Sequence, residues 1–144
     1  MVKSVKRYAE ILNDGEEADE IFIKFSGFNP TILVHEEYCV NPSCSCTEAV
    51  LRFIELSDDK VPTKDLFKIR LDIITWEVTE KKVLNQAIKA EKMIEEFVVN
   101  IDPLKEKLRS HLKRAKEYGK KNYIDYISDR TVKMILDGKM VSYS

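Results

Sequence analysis

The chain has 144 residues, 44% of them apolar and 34% charged, with a formal net charge of −1. That length suits one domain with a single core, and the composition excludes a disordered chain. No apolar run approaches the roughly 18 residues that a membrane-spanning helix needs, which excludes an integral helical membrane protein.

Met1-Val-Lys-Ser-Val-Lys-Arg leads into an amphipathic stretch rather than an apolar one, so no signal peptide is read and a cytoplasmic location is expected. The charge is unevenly spread. Residues 1–60 carry twelve acidic and six basic side chains, whereas 104–121 carry eight Lys/Arg against Glu106 and Glu117. Such a split predicts a polarised surface.

Val5, Tyr8, Ala9 and Leu12 recur at helical spacing, ended by Asn13-Asp14-Gly15. Ile21, Ile23 and Phe25 alternate with Phe22, Lys24 and Ser26, the period of a strand. Gly27-Phe28-Asn29-Pro30 is turn chemistry. Thr31 to Tyr38 reads as a second strand and Thr47 to Leu56 as a third. Leu66 to Val78 reads as a fourth, with Phe67, Ile69, Leu71 and Ile73 inward and Lys68, Arg70 and Asp72 outward. Four strands on short connections predict an antiparallel meander. Thr79 is placed to cap a helix whose apolar positions run from Val83 to Val98, and Asp102-Pro103 marks a second start. That helix is expected to stop at Gly119, and Asn122 to cap a last one through Leu136. The expectation is a single α+β domain over 1–144, with a four-stranded sheet over 1–78 and three helices over 79–144. Tyr8, Phe67 and Trp76 are expected as core aromatics. The acidic pairs Glu16-Glu17, Glu36-Glu37 and Asp58-Asp59 are expected at the surface.

The densest chemistry lies between the second and third strands. Residues 35–46 hold all three cysteines, Cys39, Cys44 and Cys46, and one of the two histidines, His35. An odd, clustered set of cysteines in a reducing compartment points to a metal before a disulfide framework. Cys-x4-Cys-x-Cys around Pro42 offers three thiolates on a tight turn, the donor chemistry of zinc. Thiolate-rich sites also hold iron. The fourth ligand is open between His35, His111, a carboxylate and water. On a straight strand His35 and Cys39 stand about 13 Å apart, beyond the reach of one ion. His111 shares an inward stripe with Leu104, Leu108, Leu112, Ala115 and Tyr118.

Tyr38-Cys39-Val-Asn-Pro42-Ser-Cys44-Ser-Cys46, followed by Ala49-Val-Leu-Arg-Phe, resembles a knuckle in a set of small prokaryotic proteins of undefined function. The segment around His111, Lys116, Tyr118 and Gly119 is similar to one in the same set. The resemblance implies a metal site. Cys44-Ser-Cys46 is also similar to the first half of the SEC-C zinc motif, whose second half is absent here.

Two functions follow as expectations. The first is a zinc-stabilised binding domain that meets a protein or nucleic-acid partner through the basic helix 104–121, with Lys105, Arg109, Lys113, Arg114 and Lys116 on phosphates. The second is a metal-dependent hydrolase or thiol redox enzyme built on the cysteines. No catalytic base motif accompanies them, which favours the first.

Overall fold

The computed structural model describes residues 5–12, 16, 19–41 and 45–136, the last fourteen of these by backbone alone. Six strands come first: β1 (Val5–Arg7), β2 (Ile21–Phe25), β3 (Phe28–Cys39), β4 (Glu48–Leu56), β5 (Pro62–Asp72) and β6 (Val78–Val83). A 3-10 turn over Tyr8–Ile11 follows β1, and the helices α1 (Ala90–Val99) and α2 (Asp102–Leu136) close the chain. All strand pairs are antiparallel. β3 to β6 form a meander, while β1 and β2 share the other side of β3.

Alternation along the strands gives the sheet two different faces. Ile32, Val34 and Tyr38 of β3, Leu51 and Phe53 of β4, and Phe67, Ile69 and Leu71 of β5 are buried in one core with both helices. Phe53 stacks on Phe67 at 4.4 Å and meets Phe97 of α1 edge-on at 4.9 Å. α1 contributes Ala90, Met93, Ile94 and Phe97, an i, i+3, i+4, i+7 stripe. The opposite face presents Leu33, His35, Glu37 and Cys39 of β3. There Leu33, Ile54 and Leu56 form a small separate cluster.

This architecture corrects the expected four strands followed by three helices. Residues 5–12, expected as helix, divide into β1 and the 3-10 turn, because Val5–Arg7 pairs with the end of β3. The fourth strand stops at Asp72, not Val78. The Asp72 carboxylate accepts from the backbone N–H of Ile74 at 2.7 Å and of Thr75 at 3.1 Å, which turns the chain. Trp76 completes that turn at φ 63°, a strained value for a large side chain. The chain then returns as β6, where the sequence pattern suggests a helix. Val78, Thr79 and Val83 suit a strand, and Glu80, Lys81 and Lys82 keep this sheet edge soluble.

The two expected helices after Pro103 are one. Gly119 does not end α2 but lets it approach the sheet. A Cβ at Gly119 would land on the carbonyl group of Val40, immediately after β3. Ordinarily Gly→Ala inside a helix stabilises by about 1 kcal/mol. Here Gly119→Ala is expected to lower the urea midpoint, because α2 must lift off Val40. A raised midpoint would show that the close approach carries no weight.

Candidate metal centre

β3 and β4 are hairpin partners whose last register pair is Tyr38 with Ala49. Cys39 is the final residue of β3, and Cys46 stands two residues before β4 begins at Glu48. Both are half-buried and neither is in a disulfide. They face one cavity of about 190 Å³ on the helix-free side of the sheet, shared with Glu37, Glu48, Lys68 and Arg70. Cys44, with Pro42 and Ser43, lies outside the described residues. Among the described residues no three or more His, Cys, Asp or Glu side chains are grouped to hold a metal. The two thiols that can be placed suit a thiophilic ion in kind, while Glu37 and Glu48 line the cavity without grouping with them.

The two candidate histidines lie elsewhere. His35 points to the same face as Cys39 but is four residues back along a continuous strand, about 13 Å away. It stands opposite Arg52 in register. Partial burial is the main reason its imidazole titrates below the usual range, with the charges of Arg7 and Arg52 adding to the effect and Glu20 opposing it.

His111 projects from α2 onto the helix-covered face, where sequence reasoning expected nothing acidic. Its Nδ1 lies 2.6 Å from Oε1 of Glu36, and the Tyr38 hydroxyl donates to that same oxygen at 2.6 Å. Glu36 and His111 are only 6% and 3% exposed. The Tyr8 ring stacks on the imidazole at 3.7 Å between centroids. Asp19 Oδ2 stands 3.7 Å from Nε2, and Asp19 in turn takes Lys107 at 3.1 Å. Burial, together with the Glu36 carboxylate, pushes the Tyr38 phenol well above its ordinary range, so it stays a proton donor. No buried side-chain polar atom among the described residues is left without a partner.

Glu36 thus is not the surface residue its neighbour Glu37 suggested. Its position was readable, since Ile32, Val34, Glu36 and Tyr38 share one strand face. A carboxylate in that row required a buried partner, and His111 on the inward stripe of α2 was the complement.

The basic helix is also differently employed. Lys105 bonds Asp102 at 2.9 Å and lies 5.3 Å from the centre of the Trp76 ring, with Arg109 at 5.1 Å. Arg114 pairs with Glu16 and bonds Tyr8. Lys113 is exposed, beside a groove that Tyr118 and Lys121 also line, and Lys116 is half-buried. Lys105, Arg109 and Arg114, of the five residues expected on phosphates, are therefore engaged within the molecule, and Lys116 also has a partner there.

Removing one member of a buried pair leaves the other uncompensated, at a cost of about 3–5 kcal/mol. His111→Leu is expected to destabilise by that order in urea unfolding. Glu36→Leu added to it should recover much of the loss. A double variant whose loss equals the sum of the single losses would show the two residues to be independent.

No family model, curated protein or solved structure matches this chain.

Proposed function

We propose that this protein is a metal-stabilised binding domain in which Cys39, Cys44 and Cys46 hold one zinc ion at the β3–β4 connection. The observation that carries this reading is that paired strands bring Cys39 and Cys46 to one cavity, with Cys44 on the connection between them. Bound zinc would tie the two strand ends together through thiolates and so contribute directly to folding. Glu37 and Glu48 line the same cavity but form no metal-holding group with Cys39 and Cys46, which leaves water as the simplest fourth ligand.

A structural metal fits the surroundings better than a catalytic one. His111, the better-placed base by residue type, is buried, covered by Tyr8 and committed to Glu36. His35 is too far along β3 to touch a ligand of Cys39. Among the described residues no helix is long and apolar enough to cross a membrane.

Protein purified without added metal should contain one zinc per chain, and chelation should lower its melting temperature and expose three titratable thiols. Cys46→Ser should weaken zinc retention. Metal-free protein with three freely reacting thiols and an unchanged melting temperature would refute the reading. One iron per chain would keep the knuckle and replace the element.

A further inference from the structure

The register of the sheet lines up three cations beside a histidine on the face without helices. His35 of β3 stands opposite Arg52 of β4, Arg52 opposite Lys68 of β5, and Lys68 opposite Lys82 of β6. Directly opposed residues on antiparallel strands point to the same side. With strands about 4.8 Å apart, the three cations span about 10 Å across the sheet.

Like charges directly opposite one another are destabilising, so sheets normally interleave signs. The next row toward the cysteines does so. Arg70 there lies 3.4 Å from Glu80 and 3.9 Å from Glu48. Among the described residues, only Arg52 of the cationic row has an ion-pair partner, Asp65 at 3.4 Å, a largely exposed pair worth little. Lys68 and Lys82 make no ion pair or hydrogen bond with any described residue.

The neighbouring row on the other flank is apolar. Phe22 of β2 stands opposite Leu33, and Leu33 opposite Ile54. Leu33 and Ile54 are buried, while Phe22 leaves 49% of its surface in solvent. An exposed aromatic ring on the same face as three adjoining cations, two of them without an ion pair among the described residues, matches one polyanion in particular. Single-stranded nucleic acid places phosphates on cations and stacks bases on aromatic faces. An acidic peptide supplies the charge but stacks only through an occasional aromatic side chain, whereas every nucleotide brings a stacking base, and a duplex keeps its bases inside.

We propose that the helix-free face of the sheet binds single-stranded nucleic acid, with phosphates along Arg52, Lys68 and Lys82 and a base on Phe22. This rests on the binding-domain reading and names its partner; it does not depend on the metal. The surface is a local footprint on a chain of net charge −1, so binding is salt-sensitive and not a bulk charge effect.

The test is fluorescence anisotropy of the full chain with labelled oligouridine and oligothymidine over a salt series, with zinc content and melting temperature recorded for every variant. Lys68→Glu places an acid between Arg52 and Lys82. It should weaken binding at least tenfold while leaving the melting temperature unchanged or higher, a combination a merely structural residue does not give. The slope of log affinity against log salt should fall by about 0.7 for each phosphate that is no longer neutralised. Phe22→Ala should cost roughly tenfold by loss of stacking. Lys113→Glu with Lys121→Glu on α2 should change nothing. No binding by folded protein at low salt overturns the proposal, as does full binding by Lys68→Glu or loss confined to the α2 variant. Equal competition by polyglutamate also overturns it, in favour of an acidic protein partner. Zinc-loaded protein that binds no oligonucleotide defeats this proposal alone, and metal-free protein that binds defeats only the metal reading.

Discussion

The backbone of α2 meets the end of β3 at Gly119, where only a hydrogen fits against the Val40 carbonyl. Two turns earlier along the same helix His111 reaches down to Glu36 of the same strand. One contact is steric and tolerates no side chain. The other is electrostatic, buried and costly to leave half made. Together they set where the helix lies and hold the strand that delivers Cys39 to the cavity. Val40, pinned by Gly119, is the residue that follows Cys39. The position of the knuckle thus depends on how α2 docks behind it.

The two faces of the sheet treat charge in opposite ways. On the covered face the carboxylate of Glu36, the imidazole of His111 and the hydroxyl of Tyr38 complete one another, with Tyr8 sealing the ring. A network so satisfied specifies one packing of helix on sheet and leaves no group free for reaction. On the open face, Lys68 and Lys82 oppose each other with no ion pair to any described residue. On the helix, Lys105, Arg109 and Arg114 are occupied at home, by Trp76, Asp102 and Glu16. Charge density in the sequence points to α2, while pairing in three dimensions points to the sheet.

Much of the sheet was legible, because period-two alternation in β2 to β5 follows directly from burying one face. The inward set Phe67, Ile69, Leu71 and Ile73 is buried as expected. β6 was not legible. Its exposed Glu80-Lys81-Lys82 carries no alternation, and the apolar residues just beyond it belong to the approach to α1 and happen to fall at helical spacing. Gly119 misled because glycine at a helix end and glycine at a close contact look alike in sequence, and only Val40 distinguishes them. The inward face of His111 was legible, but its partner was hidden by the assumption that adjacent acids share solvent. The cationic row cannot be read from any single strand at all. Its members are sixteen and fourteen residues apart and meet only through register.

Coordination of one ion by the thiols of Cys39, Cys44 and Cys46 has a direct spectroscopic signature. Cobalt(II) exchanged into the protein reports its own ligands, since tetrahedral thiolate coordination gives intense visible bands and sulfur-to-metal charge transfer. The expected result is one cobalt per chain, with charge-transfer intensity reduced in each of Cys39→Ser, Cys44→Ser and Cys46→Ser. Failure to take up cobalt, or a spectrum unchanged by all three substitutions, would contradict a shared thiolate site.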